Sequence, residues 1–471
     1  LRVRTLAVVT AAALAVAGLV APAAVAAPSG LPDDFNGDGY RDLAIGTPKA
    51  SGGTVTVLFG SASGVSPARS VNITQNSPGV PGTSESEDKF GDNVTGGDVD
   101  GDGYADLIIG APYEKITGSA NGAVTIVWGG EKPFTRGGTM LTAPSADAHM
   151  FGEGTSFADL DGDGKGNLAV IGANSFWWYE EGNPAQDGAL APKVKFLPED
   201  VRLYGVVGGH FSGTDGSDYV LHGQRTGSST TPYVGLLRGG PADIGSSYTV
   251  LAEGIDPGAV AWEPAVAAGD INGDGFDDLV TGNSRSGLGG SFTVRYGRAA
   301  GLPAKGTTYT QDSAGVPGTD EEYDYFGAAV AVGDATGDGY ADIAVGATYE
   351  EVDGRRSVGN VVFLKGSAAG LTTSGARSVH QATSGVPGAA EAGDHFGSAL
   401  RLRDIDGNGR ADLAIGAFGE DVVPNGYDDG AAWVLRGASS GLTTTDATAF
   451  NATDFGYPVV EGRKFADVFG R

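Results

Sequence analysis

The sequence predicts an all-β fold, a seven-bladed β-propeller with a C-terminal strand closing the first blade. Three observations carry this reading. An aspartate-rich loop recurs seven times, each copy sits in the same order of strand-like runs, and the two ends of the chain are incomplete in complementary ways. The loop has the form D-x-[DN]-G-D-G-x-x-D and runs into an apolar strand. Its ninth positions fall at 42, 106, 167, 218, 278, 342 and 412, with spacings of 64, 61, 51, 60, 64 and 70. So regular a period marks a repeat fold, in which neighbouring units bury one another.

Each unit reads as strands. An aromatic residue stands eight positions before most loops: Phe90, Phe151, Trp262, Phe326 and Phe396. After the loop comes a short apolar run such as Asp106-Leu107-Ile108-Ile109-Gly110-Ala111-Pro112, then a β-rich run such as Ala123-Val124-Thr125-Ile126-Val127-Trp128. A Gly-rich turn follows, and a last strand ends at Gln75, Gln311 or Gln381. No 3.6-residue periodicity interrupts this order. Four strands per unit, repeated seven times, describe propeller blades. The first loop lacks a preceding aromatic-Gly strand, and the chain finishes on Asp454-Phe455-Gly456-Tyr457-Pro458-Val459-Val460, such a strand with no loop after it. Residues 454–460 are therefore expected to close blade one and hide the sheet edge. No Trp is followed by Asp, and the Asp loops have no place in WD40 or kelch propellers.

Composition agrees. The 471 residues include 81 Gly without a collagen period, 40% are hydrophobic, and there is no Cys. Residues 1–26 read as a signal peptide, with Arg2 and Arg4 before an apolar run and Ala24-Val25-Ala26 as the cleavage site. Residues 27–471 read as one propeller domain, released outside the cell with no later membrane span. A secreted chain without Cys cannot use disulfides, and bound metal is the obvious substitute. The formal charge of −28 becomes −30 when the two leader arginines are removed, which disfavours nucleic acid and anionic lipid and favours divalent cations.

The loops carry the chemistry. The side chains at positions 1, 3, 5 and 9 can converge on one cation when Gly at positions 4 and 6 permits a tight curl, and position 7 is expected to offer only its carbonyl. In this order the candidate ligands of loop one are Asp34, Asn36, Asp38, Tyr40 and Asp42; of loop two, Asp98, Asp100, Asp102, Tyr104 and Asp106. Loop three offers Asp159, Asp161, Asp163, Lys165 and Asn167; loop five, Asp270, Asn272, Asp274, Phe276 and Asp278. Loop six offers Asp334, Thr336, Asp338, Tyr340 and Asp342; loop seven, Asp404, Asp406, Asn408, Arg410 and Asp412. Loop four (His210, Ser212, Thr214, Asp218) is decayed and reads as a polar turn. An EF-hand would need Glu at position 12 and flanking helices, whereas position 12 here is a strand residue such as Ile45, Ile109 or Val345. About six Ca²⁺ are expected, relieving crowding among the aspartates and so stabilising the ring.

Phe90-Gly91, Gly97-Asp98, the Asp loop and Gly110-Ala111-Pro112 together resemble the FG-GAP repeat, as do Phe326-Gly327 with Gly346-Ala347 and Phe396-Gly397 with Gly416-Ala417. The resemblance spans essentially all of the mature chain. It implies a seven-bladed propeller with calcium in the blade loops, as in integrin α-chain ectodomains, the propeller part of glycosylphosphatidylinositol-specific phospholipase D and many bacterial secreted proteins. It also implies extracellular recognition or adhesion, without transferring a ligand.

Catalytic signatures are thin. The five His residues show no zinc-ligand spacing, and there is no Cys nucleophile. Gly437-Ala438-Ser439-Ser440-Gly441 matches G-x-S-x-G, but the sister segments Gly60-Ser61-Ala62-Ser63-Gly64 and Gly366-Ser367-Ala368-Ala369-Gly370 mark it as a hairpin turn. Two further acidic sets are expected at the end opposite the loops, where ligand recognition is placed. One precedes the aromatic-Gly strands (Glu85, Glu87, Asp88; Glu321, Glu322, Asp324; Glu391, Asp394), and one follows the Gly-Ala strands (Glu114; Glu350, Glu351; Glu420, Asp421). Trp177, Trp178 and Tyr179 form an aromatic cluster that could pack between blades or stack on a sugar. The leading reading is a monomeric, non-catalytic module that binds an extracellular protein or glycan. The alternatives are a secreted hydrolase of glycans or phosphodiesters, and a calcium-stabilised lectin.

Overall fold

The computed structural model describes residues 28–116, 122–144, 149–179, 193–225, 231–240, 248–253, 265–422, 428–458 and 462–471. The expected signal peptide and Trp262 lie outside these residues. The described chain forms seven four-stranded antiparallel sheets, six of them meanders in chain order and the first completed by a strand from the C-terminal end, as a closed seven-bladed propeller requires. Blade two shows the pattern: Asn93–Gly97, Asp106–Ala111, Ala123–Val127 and Gly138–Thr142. The first strands of neighbouring blades touch one another (Asn93–Gly97 against Gly154–Ala158, Phe326–Gly333 against Phe396–Arg403), so they surround the axis. Outer strands such as Thr372–Val379 keep exposed residues.

The second strands explain the sequence pattern. Asp106–Ala111, Asp342–Ala347 and Asp412–Ala417 are buried along their whole length, because a blade is covered by a neighbour on each face. Such strands read as continuous apolar runs rather than alternating ones. The core is accordingly not one body. Seven main apolar clusters each join two successive blades, such as the cluster of Phe396 and Trp433 between blades six and seven. The aromatic-Gly residues anchor these interfaces. Phe90, Phe151, Phe326 and Phe396 are fully buried, and Phe90 bridges in parallel to Gly53 of the preceding blade. Gly53 adopts φ +93°, and a Cβ there would meet the Phe90 carbonyl oxygen at 2.1 Å, so the approach requires glycine.

Blade one closes as an idea but not at the residues expected. The strand that completes it is Val468–Phe469, paired with Leu43–Thr47 through Ile45↔Phe469 and Gly46↔Val468. Residues 454–458 do not form it, and Val459 and Val460 of the expected strand lie outside the described residues. Ala452–Phe455 is a 3₁₀ turn held by a capping box between Asn451 and Asp454, and Gly456 ends it at φ +79°. The aromatic anchor of blade one is Phe465, whose N–H donates to the Asp429 carbonyl at 2.9 Å as that of Phe396 donates to Val358 at 2.8 Å. The glycine that follows in other blades is Ala466 here, held at φ +62°. That replacement hid the repeat, and Asp454-Phe455-Gly456 imitated it.

Candidate metal centres

Six of the Asp loops connect the first and second strands of their blades, and loop one leads into the second strand of blade one beside its C-terminal first strand, so all seven lie at one end of the ring. The loops are folded alike by hydrogen bonds to their own carboxylates. The position-1 aspartate accepts the N–H of the position-6 glycine in all six intact loops, at 2.8–2.9 Å, from Gly39→Asp34 to Gly409→Asp404. The position-5 oxygen accepts the N–H of position 7 in the same six, for example Tyr40→Asp38 at 3.1 Å and Lys165→Asp163 at 2.8 Å. These bonds curl the chain in the same way in each of the six loops.

The donor set is oxygen only. Ligand oxygens of Asp98, Asp100 and Asp106 lie within 4.8 Å of one another, and so do those of Asp159, Asp161 and Asp163. Such a set fits a hard cation of the calcium class. Position 9 has a second duty. Asp42 accepts Phe35 N–H and Gly60 N–H, both at 2.9 Å, clasping the loop to the end of the third strand. Asp106, Asp278 and Asp412 repeat the clasp. Burial pushes the Asp42 carboxyl up to about 8 and those of Asp106 and Asp278 up to about 7, with neighbouring loop aspartates adding to the rise. In loop three, Asn167 fills the place with a neutral amide, accepting Leu160 N–H at 2.7 Å.

Three features went unread in the sequence. First, position 7 uses its side chain as well as its backbone: Tyr104 lies over Gly37, Tyr340 over Gly273, Arg410 over Gly337 and Tyr40 over Gly407, each reaching the preceding loop. Phe276 stacks on His210 in the same way, with centroids 5.6 Å apart. Second, arginines stand against positions 3 and 5: Arg136 contacts Asp100 and Asp102 at 2.8 Å each, Arg69 contacts Asp38 at 3.1 Å, and Arg436 contacts Asp406. Third, the decayed loop four is knit by hydroxyls, with Thr214 donating to Asp218 at 3.3 Å and Arg238 Nε to Ser212 Oγ at 3.3 Å, so an arginine stands against position 3 here as Arg436 does in loop seven. In loop six, the Thr336 hydroxyl donates to Asp334 at 3.2 Å and completes the curl without a carboxylate.

Other candidates resolve plainly. Trp177, Trp178 and Tyr179 are 1%, 2% and 6% exposed and pack between blades, so this cluster cannot stack on a sugar. Ala438 pairs with Gly441, leaving Ser439 and Ser440 as the turn of a hairpin. The end opposite the loops carries an arc of aromatic rings the sequence did not single out. Tyr323, Tyr325, Tyr349, His395 and Phe418 follow one another with centroid separations of 6.4, 4.6, 4.3 and 4.6 Å. Arg285 lies over Tyr325 at one side and Lys464 over Phe418 at the other. No helix among the described residues is long and apolar enough to cross a membrane.

Comparison with known proteins agrees with this architecture. The FG-GAP repeat model matches residues 26–58, 90–127, 264–296, 326–364 and 396–435, which are blades one, two, five, six and seven. The chain is 31% identical to integrin alpha-5 of Xenopus laevis over 47% of its own length and 20% of that protein. It is 26% identical to integrin alpha-8 of Gallus gallus over 59% of its length and 28% of that protein, and 32% identical to integrin alpha-V of Gallus gallus over 50% and 22%. It thus spans less than a third of the length of these relatives. The Vibrio cholerae biofilm matrix protein Bap1 aligns over 82% of this chain and 83% of its own at a TM-score of 0.35 and 11% identity, a likeness too loose to carry an argument. With five matched repeats inside a seven-bladed ring, the chain is an FG-GAP repeat protein with an integrin α-like β-propeller.

Proposed function

We propose that this protein is a secreted, calcium-loaded recognition module that binds an extracellular ligand without turning it over. The observation that carries the reading is the division of the ring into two ends. One holds six alike, oxygen-lined loops, five of which interlock in succession through position 7, and the other presents the aromatic arc. In this reading calcium at the loops holds the blades in place, and the opposite end meets the ligand. Tyr323 and Tyr349, 62% and 38% exposed, offer flat apolar faces with hydroxyl edges, flanked by Arg285 and Lys464. Such rings suit a glycan, whose sugars present C–H faces and hydroxyl rims.

The test is co-sedimentation of the calcium-loaded protein with insoluble polysaccharides, cell-wall preparations and immobilised matrix proteins, with released product measured in the same tubes. Binding to a polysaccharide without product, weakened by Tyr323→Ala with Tyr349→Ala, is expected. Release of product, or binding only to protein, would overturn the reading.

A further inference from the structure

The two acidic sets that the sequence placed away from the loops meet the strand-ending glutamines at three blade junctions. Gln75, from the end of blade one, donates through Nε2 to Glu114 of blade two at 2.5 Å. Gln311 donates to Glu350 and Gln381 to Glu420 at 2.6 Å each, with the same separation of 39 residues. An aspartate from the linker between blades joins each pair. Asp88, Asp324 and Asp394 each use Oδ2 to accept the N–H of the residue three before, Glu85, Glu321 and Glu391. Ligand oxygens of Glu85, Asp88 and Glu114 lie within 4.8 Å of one another.

These groups are buried, Glu350 and Glu420 half-buried, and they are incompletely satisfied. The three glutamines are at most 2% exposed, and Oε1 of each has no hydrogen-bond partner. Because the amide nitrogen is bound to the glutamate, that oxygen sits at the same cluster. Asp88 is 1% exposed and its Oδ1 is also without a partner. Among the described residues no lysine or arginine pairs with these carboxylates; Lys115 lies near enough to influence Asp88 but makes no ion pair with it. Burial, with neighbouring acids adding to it, pushes Glu350, Asp394 and Glu420 up to about 7. Two carboxylates buried together need a positive charge between them or a proton on one.

The three members also disappear together. At the junction of blades seven and one, the register-equivalent positions are Ala452, Arg463 and Ala50. At the junction of blades two and three they are Ala143, His149 and, at the same eight-residue distance from loop position 9, Ser175. If the acids were only solvated loop charge, one member could be lost without the others. Joint retention and joint loss mark a unit whose parts serve one ligand.

We infer that the Gln–Asp–Glu clusters at junctions 1–2, 5–6 and 6–7 bind divalent cations, forming a second class of metal site at the end of the ring opposite the Asp loops. The glutamine amide, the aspartate and the glutamate supply oxygens from two blades and their linker, and the exposed Glu85, Glu321 or Glu391 stands at the entrance. Calcium suits such an irregular, all-oxygen set. The ion bolts one blade to the next, beside the aromatic arc, since Tyr325 follows Asp324 and Tyr349 precedes Glu350. This inference does not rest on the glycan reading, and its test measures ions rather than ligand.

The experiment is equilibrium dialysis of the full chain against Ca²⁺ at fixed pH 7.5, comparing the wild type with Glu114→Gln, Glu350→Gln, Glu420→Gln combined. The variant is expected to bind three fewer ions while its Asp loops remain loaded. Equal stoichiometry would overturn the inference and leave a shared proton as the neutralising charge, since Gln imitates a protonated Glu. A crystal of the wild type soaked in Mn²⁺ gives the answer should the variant not fold. Anomalous peaks between Asp88 and Glu114 and at the two sister clusters support the sites, and peaks confined to the Asp loops refute them.

Discussion

The side chain of Tyr40 covers the backbone of Gly407, so that a Cβ added to the glycine would stand 3.0 Å from Tyr40 Cε1. Gly407 is position 4 of loop seven, and Tyr40 is position 7 of loop one. The contact therefore crosses the seam where the ends of the chain meet. The same relation joins loops one and two, five and six, and six and seven, which makes the loop end an interlocked rim rather than a set of separate sites.

This relation can be measured by a cycle of variants. Gly407 and Gly409 both have left-handed φ, +70° and +82°, but a Cβ at Gly409 meets nothing within 4 Å. Alanine at Gly409 should cost about 1 kcal/mol of backbone strain. Alanine at Gly407 should cost about 1 kcal/mol more, because it also displaces Tyr40. In a Tyr40→Ala background the excess should vanish. Urea denaturation in calcium gives the three differences, and an excess that survives loss of the ring would mean that Tyr40 does not hold the rim.

Removing calcium should expose the cost of crowded carboxylates, and pH should set its size. Without a bound cation, burial pushes the Asp42 carboxyl up to about 8, those of Asp106 and Asp278 up to about 7 and those of Asp342 and Asp412 up to about 6, all above the unfolded value of about 3.9. A raised folded pKa stabilises the fold fully below the unfolded value, and that contribution fades as pH rises through 6 to 8. The melting midpoint in chelator should therefore fall between pH 5 and 8.5. Calcium should raise the midpoint most at pH 8.5, where the ligands are ionised, by about 2.7 kcal/mol per site at a hundredfold excess over Kd. Asp270→Asn should reduce this gain by one site's share, whereas Ser212→Asp should add none, because His210 and Thr214 still leave loop four without carboxylates at positions 1 and 5. A chelator midpoint that climbs with pH would contradict the burial of these carboxyls.

Closure at Phe465 makes a prediction that closure at residues 454–460 would not. Phe465 is fully buried in the cluster joining blades seven and one, and Phe455 touches the same cluster from its margin. Phe465→Ala should cost about 3–5 kcal/mol, and Phe455→Ala distinctly less. Ala466→Gly should be neutral or stabilising, since it relieves a residue held at φ +62° at the expense of chain entropy. Thermal unfolding of the three variants ranks them, and a larger loss at Phe455 would reverse the assignment.

The blades were legible because burial on both faces writes apolar runs that are too short for a buried helix and are bounded by turn residues, and because the Asp loops repeat at a blade's spacing. Asp106–Ala111 shows both signals in succession. The closing strand was not legible, since two residues, Val468–Phe469, carry no periodicity and Ala466 replaces the diagnostic glycine. The oxygens at positions 1, 3 and 5 could be read from spacing alone, whereas the Tyr40 and Arg136 contacts join residues from different loops or strands and leave no local pattern. The Gln–Asp–Glu clusters lie between. Each member recurs visibly in sequence, but only the ring brings Gln75 of one blade against Glu114 of the next.

Burial and exposure separate two aromatic groups that composition alone would treat alike. Trp177 packs edge-on against Phe151 at 5.2 Å within the interface of blades two and three, so Trp177→Ala should cost about 3–5 kcal/mol and weaken ligand binding only as far as it unfolds the ring. Tyr349 packs between Tyr325 and His395 at the surface, so Tyr349→Ala should change stability by less than about 1 kcal/mol. If the arc is the recognition surface, that variant should lose tenfold or more in glycan affinity at an unchanged melting midpoint. The pair is read by calorimetric melting and by binding to the same immobilised polysaccharide. A Tyr349 variant that keeps full affinity would move the recognition surface off the arc, and the fold of the ring would stand untouched by that result.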